Sequence, residues 1–190
     1  MSLPVFIRNK RSKNMEFDQL ILRRRSVRAY KEEPISHEIL ESIVKKAQMA
    51  PSWKNMQTSR SYVVESAEML QTVKEKGLPS FNAKSSANAA LIVTTFVRGQ
   101  VGFSNGQPDN ELGDKWGAYD LGLHDAYLVL AAADAGLDSL IMGLRDAEAL
   151  REILSIPEEE EIVSVIAVGY RDQEPALRPR KELGEVAKFF

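Results

Sequence analysis

Helical and strand patterns interleave along the whole of the 190-residue chain, which predicts an α+β or α/β fold around a central sheet of about four strands. Three stretches carry that prediction. Residues 89–97, AALIVTTFV, form the β-rich run expected of a strand buried on both faces. Residues 162–169 make a second strong strand. Residues 116–135 carry apolar side chains nearly all round a helix, including Leu121, Leu128, Val129 and Leu130, as in a helix buried in a core or between subunits.

Taken in order, residues 1–15 place a short apolar start before basic residues, the reverse of a secretory signal. They are read as an N-terminal arm, residues 16–190 as one domain, and the protein as cytoplasmic. A helix over 16–24 presents Phe17, Leu20 and Ile21 on one face and delivers the arginines of Arg23 to Tyr30, RRRSVRAY. Pro34 marks a connection, and Ser36 is a candidate N-cap for a helix over 37–49 whose Ile39, Leu40, Ile43, Val44 and Ala47 form an apolar stripe. Ala50-Pro51-Ser52 ends that helix, and residues 53–57 show neither period, so they form a loop dense in hydrogen-bonding groups. A short strand over 60–65 follows, then a helix over 67–76 capped by Ser66 and stopped at Gly77-Leu78-Pro79. Residues 98–115 hold four glycines and Pro108 and read as a long loop that walls the substrate. Gly136 closes the long helix, 137–142 is a strand, and Asp146 caps a helix over 147–154.

Composition narrows the chemistry. There is no cysteine, which excludes disulfides, thiolate catalysis and cysteine-ligated metal. His37 and His124 are the two histidines and have no metal-ligand spacing; His37 reads as exposed at a helix start and His124 as a core or surface residue. No apolar run approaches the roughly 20 residues that cross a bilayer. Lys and Arg total 25 against 27 Asp and Glu, so no global basic field favours nucleic acid. The positive charge is local, in the run 23–28, and guanidinium forks match phosphate oxygens. No G-x-G-x-x-G follows a strand, no P-loop occurs and no G-x-S-x-G elbow is found.

Several separated pieces resemble the nitroreductase family of flavin enzymes. RRRSVRAY resembles its Arg-Arg-Ser-x-Arg signature, and residues 50–57, APSWKNMQ, resemble its Ala-Pro-Ser-x-x-Asn-x-Gln loop. Tyr119-Asp120, the AAADAGL of 131–137, Leu154-Ser155-Ile156-Pro157, Val168-Gly169-Tyr170 and the basic residues 178–180 follow in the same order, so that the match spans 18–186. The chain departs from the family pattern at Gln57-Thr58-Ser59, where Gln-Pro-Trp is frequent.

The resemblance implies an α+β, three-layer α/β/α fold, with a mostly antiparallel sheet of four to five strands, a long central dimer helix and a C-terminal tail reaching the partner subunit. It implies an FMN-dependent homodimer taking hydride from NAD(P)H and passing it, by a ping-pong mechanism, to a small electron-poor acceptor such as a nitroaromatic, quinone or activated alkene. A non-catalytic FMN-binding module of the same fold is the alternative. Carried over by position, Arg24, Arg25 and Ser26 hold the flavin phosphate and ribityl chain with Arg178 and Arg180, and Arg28 lies near the pyrimidine end of the ring. Pro51, Ser52, Trp53 and Asn55, with Gln57, come from the partner subunit. Ile141, Met142 and Gly143 lie on the opposite side of the ring, and Asn82 and Lys84 at its edge. No metal, nucleic acid or membrane is implied, and no side chain stands out as an indispensable general acid.

Overall fold

The computed structural model describes residues 16–190; the arm expected over 1–15 lies outside the described residues. The helices are α1 Phe17–Arg23, α2 His37–Ala47, α3 Ala67–Lys76, α4 Ser80–Ser85, α5 Lys115–Asp134, α6 Ala147–Leu154 and α7 Leu183–Val186. The strands are β1 Ser59–Val64, β2 Ala90–Val97, β3 Phe103–Ser104, β4 Gln107–Pro108, β5 Asp138–Met142 and β6 Glu160–Gly169. Four of them form one antiparallel sheet in the order β1-β2-β6-β5, and β3 and β4 form a separate small hairpin. This is an α+β fold.

Alternation along the central strand β2 divides the core into two layers. Leu91 and Val93 pack toward Val73 of α3 and Leu150 of α6, whereas Ile92 packs toward Ile43 of α2 and Leu128 and Ala132 of α5. With both faces covered, β2 and β6 read as continuous apolar runs rather than alternating ones. The same alternation puts the neighbouring hydroxyls of Thr94 and Thr95, between which the register with β6 shifts, to different uses. Thr94 Oγ1 donates to Asp125 of α5 at 3.0 Å, and Thr95 Oγ1 bonds Glu160.

Local chemistry explains most element ends. The Ser66 and Asp146 side chains accept from the backbone N–H groups of Met69 and Ala149, and α3 and α6 begin where those caps predict. Ser36 precedes α2 but makes no such bond, and α2 ends at Ala47 rather than at 49. At the end of α5, Gly136 takes φ of 83°, with Leu137 N–H donating to Ala132 O and Gly136 N–H to Ala133 O. That is a Schellman closure, and it turns the chain directly into β5.

One expectation needs correction. The segment 98–115 is not wholly irregular, because it contains the β3–β4 hairpin and buries Val101. The stop at Gly77-Leu78-Pro79 holds, and residues 80–85 beyond it form α4, which a tertiary bond from Asn82 Nδ2 to Leu144 O at 2.8 Å and a local one from Ser86 Oγ to Asn82 O hold in place.

The buried side of α5 faces the sheet. Its other side exposes Ala118, Tyr119, Gly122, Ala126 and Tyr127, an uncharged stripe at helical spacing. Among the described residues, no helix is long and apolar enough to cross a membrane.

Candidate functional site

The arginine segment is held against the sheet by backbone hydrogen bonds. Val27 N–H donates to Ser139 O of β5 at 3.0 Å, Lys31 N–H to Tyr170 O at 2.8 Å, and Asp172 N–H to Ala29 O at 2.9 Å. Residues 26–31 therefore run beside both β5 and the start of the tail that follows β6. Val27 and Tyr30 are buried, with the Tyr30 hydroxyl donating to Val27 O, and the Arg28 side chain between them is exposed.

Arg23 serves a different end from its neighbours. Its Nη1 donates to Ala133 O and Leu137 O at 2.8 and 2.9 Å, capping the C-terminus of α5, where cations are favoured. Arg24, Arg25, Ser26 and Arg28 instead line a cleft of about 660 Å³ whose other wall is the tail from Gln173 to Arg180, including Arg178 and Arg180. Five guanidinium groups from two ends of the chain thus converge. Burial, and then repulsion from Arg180 and Arg25, push the Arg24 guanidinium below its ordinary value. Among the described residues, Arg25 Nε is buried without a hydrogen-bond partner. An orphaned donor among mutually repelling cations is the environment that an anionic oxygen relieves, so these residues fit a phosphate group.

The loop after α2 borders a second cleft, of about 420 Å³, with Pro51, Ser52 and Gln57 in its wall and Arg60, Asp120 and His124 beside them. Among the described residues, none lines both clefts. Trp53 to Asn55 make one turn of 3-10 helix, and Lys54, Asn55 and Gln57 have φ of 47°, 57° and 52°. Three L residues in the left-handed region within four positions mark a strained turn. The bonds that hold it run from Trp53 N–H to Asp120 Oδ2 at 2.8 Å and from Gln57 N–H to Ser52 Oγ at 3.1 Å. The Trp53 ring lies 4.9 Å from that of Trp116, which packs edge-on against Tyr119.

His124 is buried one turn along α5 from Asp120. Its Nδ1 lies 3.1 Å from Asp125 Oδ1 and its Nε2 3.5 Å from Ser61 Oγ. Asp125 also accepts from Thr94, which lies 2.9 Å from Ser164 Oγ. This chain of polar groups fastens α5 to β1, β2 and β6.

The remaining sequence candidates divide. Ile141 is 51% exposed, but Met142 is a core residue at 3%, so only its backbone is available to a ligand. Gly143 has open space about its Cα. Asn82 is buried and engaged with Leu144 O, while Lys84 is exposed on the same short helix. Sequence reasoning missed Gln173, Pro175 and Leu177 of the arginine cleft, together with Asp120 and the pair Asp138–Arg171. Asp120 carried a signal, as a carboxylate within a largely apolar helix.

The nitroreductase family model matches residues 21–170. The chain belongs to the nitroreductase family. A protein of Archaeoglobus fulgidus, provisionally named an NADH dehydrogenase/NAD(P)H nitroreductase, is 32% identical over 82% of this chain and 86% of its own length. The NADPH-flavin oxidoreductase of Vibrio harveyi is 26% identical over 85% of this chain and 68% of its own. Among solved structures, the FMN complex of a provisionally named nitroreductase from Exiguobacterium sibiricum superposes with a TM-score of 0.76, at 21% identity, over 94% of this chain and all of that one. That likeness is one of fold. The matched region contains both the arginine segment and the strained loop, and it ends just before Arg171 and the tail.

Proposed function

We propose that this nitroreductase-family protein is an FMN-dependent oxidoreductase that works as a homodimer. The observation that carries the proposal is the convergence of Arg24, Arg25 and Arg28 with Arg178 and Arg180 around Ser26 in one cleft. The FMN complex of the Exiguobacterium relative and the flavin named in the Vibrio enzyme support the choice of anion.

In this reading Arg24, Arg25, Arg178 and Arg180 bind the phosphate, and Ser26 orients the adjoining ribityl chain. Each charge-assisted bond is worth about 1.5–3 kcal/mol, so several together retain the cofactor without covalent attachment. Arg28 contributes a fixed positive charge that favours negative charge arriving on the ring. FMN, when bound, supplies the hydride chemistry between NAD(P)H and an electron-poor acceptor such as a nitroaromatic, quinone or activated alkene. Pro51, Ser52 and Gln57 line a different cleft from the arginines, which supports a site completed by the partner subunit's copy of that loop. Pro51, Ser52, Trp53, Asn55 and Gln57 then wall one side, and the backbone of 141–143 the other. Asn82 and Lys84 border the edge, Asn82 chiefly by fixing the segment after β5. Residues 16–190 form the flavin-binding unit. The nicotinamide and the acceptor occupy the same place in turn, which makes the kinetics ping-pong.

The test is steady-state kinetics of the FMN-loaded protein with NADH or NADPH against a quinone and a nitroaromatic. Parallel double-reciprocal lines are expected. Retained FMN without any nucleotide oxidation would replace the enzyme with a flavin-binding module.

A further inference from the structure

Residues 54, 55 and 57 lie in the left-handed region, which L side chains avoid, so the turn persists only where its surroundings over-determine it. Bonds within the turn do not suffice for that. Met56 N–H to Trp53 O and Asn55 N–H to Ser52 O, at 2.9 and 3.0 Å, are local and would move with the loop. Two anchors reach it from outside: Arg60 Nη1 of β1 donates to Gln57 O at 2.8 Å from an exposed side chain, and Asp120 holds the other end from the 20-residue helix α5, whose sheet-facing side is packed into the core.

We propose that Asp120 is a positioning residue that sets the flavin-facing loop, by accepting the Trp53 N–H and so fixing the left-handed turn over 54–57. The inference rests on the reading that this loop faces the flavin. Asp120 is 4% exposed, and the hydrogen bond to its carboxylate comes from the Trp53 backbone at 2.8 Å. A buried carboxylate is expensive to keep, and burial raises the Asp120 pKa while the Trp53 bond lowers it. An apolar side chain would suit that position better for stability. The carboxylate is explained by what it holds.

The geometry also fixes direction. Trp53 is pinned at its N–H by Asp120 and at its ring by Trp116, four residues earlier on the same helix face. The peptide is therefore clamped from one rigid helix at two points, and Ser52 before it and Asn55 after it are presented in fixed orientation.

The experiment compares wild type with Asp120→Asn, which keeps a carbonyl acceptor, and Asp120→Leu, which does not. Amide hydrogen exchange is measured on the flavin-free protein, with β2 amides as the folding control, followed by thermal midpoint, FMN dissociation constant and acceptor KM and kcat. Asp120→Leu should accelerate exchange across 53–57 and weaken FMN about tenfold or more. It should raise acceptor KM, and leave the thermal midpoint of the flavin-free chain unchanged or higher. Asp120→Asn should restore protection and most of the affinity. Equal protection and equal FMN affinity in all three proteins would overturn the proposal, as would an Asn variant as impaired as the Leu variant, or losses that follow a falling thermal midpoint. If no protein retains FMN, wild type included, yet exchange at 53–57 still separates Leu from the other two, the flavin reading fails and the positioning role stands.

Discussion

Arg171 grips the buried carboxylate of Asp138 with two nitrogens, Nε at 2.9 Å and Nη2 at 2.6 Å, and so fixes the start of the tail to the first residue of β5. Arg23 adds a second cation 3.7 Å from the same carboxylate, and Arg171 Nη2 reaches back to Arg23 O. The bond to Asp138 holds the Arg171 guanidinium above its ordinary value. This ion pair joins the backbone bonds of Lys31 and Asp172 in fixing where the tail sets out toward the arginine cleft. Removing one partner of a fully buried pair costs about 3–5 kcal/mol, which is an upper bound here because Arg171 is partly exposed and Arg23 stays beside Asp138. Arg171→Ala should lose part of that in urea unfolding, and should lose FMN under conditions where the remaining folded fraction is high.

Arg180 stands on the exposed wall of the same cleft and repels Arg24. Arg180→Ala should therefore leave the flavin-free protein as stable as wild type or slightly more so, while the FMN dissociation constant rises roughly 10- to 100-fold. Flavin fluorescence titration and thermal unfolding of the same sample check the two halves. A variant that loses stability and keeps its FMN affinity would remove Arg180 from the phosphate site.

The proposed homodimer is expected to form through the uncharged stripe on α5. Ala126 is exposed there beside Tyr127. Ala126→Glu puts a charge at the centre of that stripe, and a buried unpaired carboxylate is strongly unfavourable. Sedimentation velocity should find wild type dimeric and the variant monomeric, with the monomer unable to retain FMN.

A smaller effect concerns pH. His37 Nδ1 lies 2.8 Å from Glu65 Oε1, and this hydrogen bond raises the His37 pKa from 6.5. A histidine whose pKa is higher in the folded state stabilises the fold fully below its unfolded value and loses that contribution as pH rises through the folded one. Wild type should therefore melt slightly above His37→Gln below pH 6.5, and the difference should vanish in alkaline buffer. The pair is exposed, so its effect on the melting point is small and declines with salt.

Much of the fold was legible where local chemistry decides it. Both bounds of α3 and α6 follow from a capping side chain and an amphipathic stripe, and β2 from an unbroken β-rich run. Residues 80–85 gave no comparable signal, since their helix depends on the long-range bond from Asn82 to Leu144 O. For the site, the run of arginines and the second basic cluster were visible, and the structure brings them to one cleft. What the run could not reveal is that Arg23 differs from Arg24. The same side chain caps a helix or lines a cleft according to which way an extended segment faces. Asp138 and Arg171 were equally silent, because an ion pair between residues 33 positions apart leaves no local pattern. Asp120 looked like an ordinary helix acid until its partner, the Trp53 N–H, was located.

The most direct test of the proposed function is a visible absorption spectrum of the protein incubated with FMN and desalted, recorded anaerobically before and after NADH or NADPH is added. The account predicts flavin bands that survive desalting, bleach with one or both nucleotides, and return when a quinone or nitroaromatic follows. A protein that emerges from desalting without flavin would contradict it.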